Sequence, residues 1–193
     1  MRFINVKFVK SASKKQEFIV DDLPQIAIVG RSNVGKSSLI NLLANNSKMA
    51  KTSSLPGRTR LVNYFNVNNK FYLVDLPGYG FAKAAKDTVE VWDSVMNDYF
   101  VNNDKLKLVL LLVDSRIGPT ALDRQMLDYL GDNDLTAAII LTKTDKITRS
   151  ALGLQLKNTA ETLRFSNSLV IPTSANKKIG SEDVAGLIDK YIN

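Results

Sequence analysis

Gly30-Arg31-Ser32-Asn33-Val34-Gly35-Lys36-Ser37 places two glycines, a lysine and a hydroxyl at the spacing that holds a phosphate chain. Glycines at 30 and 35 allow a tight turn that aims backbone N–H groups inward, so the residues from Gly30 through Ser38 are candidate phosphate ligands. Lys36 reaches the β and γ phosphates, which makes it a catalytic candidate, and Ser37 offers its hydroxyl to Mg²⁺. A helix beginning near Lys36 adds the positive end of its dipole. For the loop alone, a glycine-containing turn that carries a lysine by chance is the alternative.

Asp75-Leu76-Pro77-Gly78 follows the apolar run Phe71 to Val74. In a P-loop enzyme an aspartate there binds Mg²⁺ through water, and the amide of the glycine, here Gly78, contacts the γ-phosphate, which makes Gly78 a further catalytic candidate. A strand-end cap is the ordinary alternative for Asp75. Thr142-Lys143-Thr144-Asp145 follows another apolar run, Ala138 to Leu141. A carboxylate at Asp145 accepts from both N1–H and the 2-amino group of guanine, whereas adenine has an acceptor at N1 and no such amino group. GTP is therefore favoured over ATP. Lys143 lays its alkyl stem over the base, and Thr173-Ser174-Ala175 presents a backbone N–H to the guanine O6.

The elements that must hold these groups are legible in the hydropathy pattern. Ile26 to Val29 is a β-branched apolar run feeding the loop, and Ser38 to Ala44 has helical spacing. Residues 1–9 alternate like a strand, and Ser11 to Gln16 reads as a polar loop. Leu61 to Val67 and Lys70 to Asp75 face each other across Asn68-Asn69, a pair that tolerates the left-handed backbone of a hairpin. Asp87 to Asn102 has helical spacing, with Val91, Trp92, Val95 and Tyr99 on one side, and Trp92, Tyr99 and Phe100 read as core. Lys107 to Asp114, Ala137 to Leu141 and Leu169 to Ile171 read as strands. Thr120 to Leu130, Thr148 to Leu163 and Asp183 to Tyr191 read as helices. Strands alternating with helices predict an α/β chain of the P-loop NTPase type: a mostly parallel sheet with one antiparallel edge strand and helices on both faces. All four chemical segments then fall at the carboxyl ends of strands, where open α/β sheets bind ligands.

Composition narrows the chemistry further. The 193 residues suit one domain and contain no cysteine and no histidine, so disulfides, thiolate catalysis and imidazole bases are excluded. Catalysis has to use carboxylates, lysine, arginine, hydroxyls, backbone amides and a bound cation. The start of the chain lacks the continuous apolar core of a signal peptide, and no segment approaches the length of a membrane span; a cytoplasmic protein without a membrane partner is expected. A net charge of +7 suits a partner with a phosphate backbone, although a solvated basic surface is the commoner cause.

Beyond these motifs, Phe8-Val9-Lys10-Ser11-Ala12, Ser38-Leu39-Ile40-Asn41, Pro56-Gly57-Arg58-Thr59, Tyr79-Gly80, and Asp114-Ser115-Arg116 with Gly118 extend a likeness over nearly the whole chain. The chain resembles the EngB family of ribosome-biogenesis GTP-binding proteins, within the TRAFAC class of P-loop GTPases. That resemblance implies one GTPase domain over residues 1–193, with residues 1–23 as an N-terminal strand and loop extension. It implies a monomer that binds GTP and GDP, hydrolyses GTP, and acts with the large ribosomal subunit and its rRNA. It makes Thr59 the switch I threonine, a catalytic candidate that completes the Mg²⁺ shell beside Ser37, with Gly57 and Arg58 as further nucleotide contacts. Thr142 stands where many GTPases have asparagine; the substitution matches the family's usage and is expected to remove one tether to the phosphate loop.

Tyr79 occupies the place where Ras-like enzymes carry the glutamine that orients the attacking water, so slow intrinsic hydrolysis is expected. In related potassium-using GTPases an asparagine at the position of Asn33 binds K⁺; a role in shaping the loop is the alternative. Arg58, Arg60, Lys83 and Lys86 are candidates for rRNA phosphate contacts in one nucleotide state, with solvated loop charge as the alternative. Two rivals stand beside the GTPase: an rRNA-docking module with negligible turnover, and a P-loop small-molecule kinase.

Overall fold

The computed structural model describes residues 2–50, 61–80, 94–101, 103–165 and 169–192. The expectations for Gly57, Arg58, Thr59, Arg60, Lys83, Lys86, Val91 and Trp92 lie outside the described residues. In chain order the elements are β1 (Val6–Ala12), β2 (Gln25–Gly30), α1 (Lys36–Leu43), β3 (Val62–Val67), β4 (Phe71–Asp75), the described part of α2 (residues 94–100), β5 (Leu106–Asp114), α3 (Ala121–Asp132), β6 (Ala137–Thr142), α4 (Arg149–Leu163), β7 (Val170–Pro172) and α5 (Ser181–Ile192).

The strands form one seven-stranded sheet in the order β1-β3-β4-β2-β5-β6-β7. Pairing is parallel from β4 through β2, β5 and β6 to β7, and β3 runs antiparallel to both β4 and β1. The sheet is therefore mostly parallel with its one antiparallel strand, β3, toward one edge, and β1 lies outside it. Asn68 and Asn69 both adopt positive φ, 55° and 54°, as a two-residue hairpin turn with matching twist requires. The Asn68 side chain also binds the start of the chain: Oδ1 accepts from the N–H groups of Ile4 and Asn5, and Nδ2 donates to the Arg2 carbonyl. Strand pairing consequently begins at Val6 and continues through Ala12, later than the alternation of residues 1–9 predicts. Ser11, read from sequence as loop, is held in the strand by its hydroxyl bond to Asn63.

Alternate residues of β2 and β5 enter opposite cores. Ile26, Ile28, Leu108, Leu110 and Leu112 pack with Leu39 and Ile40 of α1 and Val184, Leu187 and Ile188 of α5. Ala27, Val29, Val109 and Leu111 pack with Met96 and Tyr99 of α2 and Met126 and Leu130 of α3. Both faces are apolar because a covered parallel strand has no solvent side. The registry of these strands brings Gly30, Asp75, Asp114, Thr142 and Thr173 to the same edge of the sheet.

Candidate functional site

β2 delivers the chain to Gly30, whose φ is 153°; a Cβ there would sit 2.8 Å from Val34 Cγ1 and 3.0 Å from the Leu112 carbonyl oxygen. Glycine is the residue that permits this close turn. The loop then passes through Asn33, at φ 62°, to Gly35, at φ 119°, which starts α1 without a side-chain cap. Lys36, Ser37 and Ser38 thus occupy the first turn, with the positive end of the helix facing the loop. Ser32 N–H donates to the Tyr79 carbonyl (2.9 Å), and Tyr79 N–H donates to the Gly30 carbonyl (3.3 Å), so the loop and the segment after β4 are stitched together.

Next to the loop, the ends of β5 and β6 form a wall. Thr142 Oγ1 lies 2.8 Å from the Val34 carbonyl and 3.1 Å from the Val113 carbonyl, sharing its proton between the two. This corrects the expectation that threonine here gives up the tether to the phosphate loop: the hydroxyl is long enough because β6 ends directly behind Val34. Lys143 adopts φ 59° and donates from Nζ to the Asn33 carbonyl (2.6 Å) and to Asp114 Oδ2 (2.8 Å). Asp145 accepts from the Ser174 hydroxyl (2.6 Å) and from Asn176 Nδ2 (3.3 Å). The Ser174 bond holds its carboxyl below the ordinary aspartate range, so it stays an acceptor near neutral pH. Thr144 locks the two loops together, its N–H and hydroxyl both donating to the Thr173 carbonyl. A cavity of about 160 Å³ opens between these walls, lined by Gly35, Leu39, Thr142, Lys143, Asp145 and Ala175 among others.

At the other end of the site, fewer side-chain hydrogen bonds are made among the described residues. Asp75 is 5% exposed, and its Oδ1 has no hydrogen-bond partner among the described residues. Burial pushes the carboxyl up to about 6, opposed by the Lys36 ammonium. A buried, unpartnered carboxylate oxygen close to a phosphate loop has the donor chemistry for a hard cation such as Mg²⁺. Gly78 lies against the loop; a Cβ would come within 2.9 Å of Lys36 Nζ and 3.1 Å of Ser32 N. Its side-chain-free backbone is what allows that approach.

Tyr79 points elsewhere. Its phenol is buried and donates to Asp123 Oδ1 (2.8 Å) in the first turn of α3, where Asp123 Oδ2 also accepts from the N–H and hydroxyl of Thr120. Burial and the neighbouring Asp123 both raise the phenol well above its ordinary range, so it remains a donor.

Comparison with known proteins agrees with this geometry. A family model described as 50S ribosome-binding GTPase matches residues 25–143. A probable GTP-binding protein EngB from Clostridium acetobutylicum is 49% identical over 162 residues, covering 84% of this chain and 81% of its own. The chain belongs to the EngB family of GTP-binding proteins. A second EngB protein, from Pelotomaculum thermopropionicum, is 42% identical over 193 residues, 100% of this chain and 98% of its own. Among solved structures, the crystal structure of a probable GTP-binding protein engB superposes with a TM-score of 0.72 at 25% identity, covering 87% of this chain and 98% of that one.

Within this EngB-type GTPase fold, the phosphate loop, Asp75, Gly78, Thr142, Lys143, Asp145, Thr173, Ser174 and Ala175 lie around one edge of the sheet. Ser174 contributes its side chain to Asp145, a role the sequence reading did not give it. Asn176, Asp123 and the contact of Asp114 with Lys143 were also missed. Only Asp123 left a trace, as the fourth residue of Thr120-Ala121-Leu122-Asp123 before an apolar helix.

Proposed function

We propose that this chain binds GTP and GDP at the edge formed by the phosphate loop and the β6 and β7 ends, and hydrolyses GTP to GDP and phosphate. The observation that carries the reading is Asp145, an ionised carboxylate aimed by Ser174 and Asn176 beside a cavity that also meets Gly35 of the phosphate loop. Two acceptor oxygens in that place match N1–H and the 2-amino group of guanine. The amides of Gly30 through Ser38 hold the phosphates, Lys36 places its charge where negative charge develops, and the Gly78 amide meets the γ-phosphate. Ser37, Asp75 through water, and Thr59 would hold Mg²⁺, which would supply positive charge to offset that of the phosphates. The whole chain works as one GTPase unit, a cytoplasmic monomer.

Tyr79 supports slow intrinsic turnover: its phenol is committed to Asp123, so it does not orient an attacking water. A partner or a cation then supplies the missing acceleration. The exposed Asn33 at φ 62° is the candidate K⁺ ligand, and turnover compared in KCl and NaCl at matched ionic strength tests it; equal rates eliminate the role.

The task is assembly of the large (50S) ribosomal subunit through its rRNA, supported by the family description and the net charge of +7. Co-sedimentation with ribosomal subunits in GDP and in a non-hydrolysable GTP analogue tests it, with preferential association in the GTP state as the expected outcome and none in either state as the contrary one. The Tyr79–Asp123 bond also favours a second reading, an rRNA-docking module with negligible turnover. Phosphate release measured with and without subunits separates the two.

A further inference from the structure

The turn that ends β5 is folded back on its own aspartate. Ile117 N–H and Gly118 N–H both donate to the Asp114 carbonyl (3.1 and 2.8 Å), and Gly118 takes φ 79°. Arg116 is thereby brought over the Asp114 side chain. Its backbone N–H and Nε donate to Oδ1 (both 3.0 Å), and its Nη2 donates to Oδ2 (2.7 Å). Oδ2 also accepts from Lys143 Nζ, which reaches on to the Asn33 carbonyl. The β5–β6 register sets Asp114 opposite Thr142, one residue before Lys143.

Asp114 is 8% exposed, so its charge has left most of its water and needs these partners. Burial alone would raise the carboxyl, yet the hydrogen bonds from Arg116 and Lys143 bring it down to about 2. Lys143 is fixed at both ends, by a left-handed backbone and by two acceptors on its ammonium. A free lysine stem would lose rotamer freedom when a ligand arrives, and a stem fixed beforehand does not.

We propose that Asp114 and Arg116 are positioning residues for guanine-nucleotide binding: acting through Lys143, they hold its stem ready for the base and its ammonium on the phosphate loop, and so slow nucleotide release. The proposal rests on the guanine reading of Lys143 and Asp145. Arg116 is not among the residues that line the cavity, and its side chain is 49% exposed, so its replacement leaves the core intact. Were the clamp only a closure of the β5 turn, losing it would lower stability and leave release unchanged.

The test is the dissociation rate of a fluorescent GDP from the full chain, with the thermal midpoint measured in parallel. Arg116→Ala raises the rate about tenfold, the size of one lost charge-assisted contact. Arg116→Lys keeps the charge without the fork and raises it by less. In a Lys143→Ala background, Arg116→Ala adds nothing, because its route to the nucleotide is gone. An unchanged rate in Arg116→Ala, or the same increase with and without Lys143, overturns the proposal. Equal affinity of the unaltered chain for GDP and ADP would instead overturn the guanine reading beneath it.

Discussion

At the base end of the site, Thr142, Lys143, Thr144 and Asp145 are each tied by side-chain hydrogen bonds to a neighbouring segment, whereas at the phosphate end Asp75 keeps a buried oxygen without a partner among the described residues. The difference follows from what each end must recognise. A base is read by fixed donors and acceptors, so rigidity there adds selectivity and spares the entropy of ordering on binding. Charge on phosphate and metal is met instead by groups held partly uncompensated, which makes that end costly to the ligand-free fold.

The largest effect of breaking the base end comes from Asp145→Asn. It replaces an acceptor with a donor facing guanine, and GDP affinity falls at least about a hundredfold by calorimetry, the size expected for losing two charge-assisted bonds. At the phosphate end the sign reverses for stability. The native Asp75 carboxyl titrates near 6 against an ordinary 3.8, so the ligand-free protein takes up a proton on folding between those values and gains stability as pH falls through that window. Asp75→Asn removes this slope and raises ligand-free stability at pH 7.5 by up to about 3 kcal/mol, read by denaturant unfolding across pH. The same variant loses the effect of Mg²⁺ on nucleotide affinity.

Two smaller changes sharpen the contrast. Tyr79→Phe leaves Asp123 Oδ1 without the phenol and costs about 1–3 kcal/mol of stability, while phosphate release in the absence of partners stays within about twofold. A fall in release beyond that would return Tyr79 to the chemistry. Thr142→Val removes the tether to the Val34 carbonyl, costs about 1 kcal/mol, and speeds GDP release a few-fold in a stopped-flow trace.

What sequence carried well is what depends on neighbours in the chain. The phosphate loop reads from eight consecutive residues, and the strand feeding it and the helix leaving it read from their own periodicity. The hairpin at Asn68-Asn69 is likewise local, and both residues take the left-handed conformation the pair suggested. Contacts between distant segments were not legible. Tyr79 meets Asp123 across 44 residues, and Thr142 reaches Val34 across 108. Neither spacing leaves a pattern in a linear chain, so Tyr79 was placed by analogy with a glutamine and Thr142 was credited with a lost bond. The start of β1 was misplaced for a related reason: alternation in residues 1–9 set the strand's character, but pairing to Val62 through Val67 set its ends.

The most direct test of a base end built in advance for guanine is the affinity of the unaltered chain for GDP and for ADP in one buffer, by isothermal titration. GDP binding at least about a thousandfold tighter is the predicted result, since adenine leaves the Asp145 carboxylate facing an acceptor. Affinities within about tenfold of each other would contradict it.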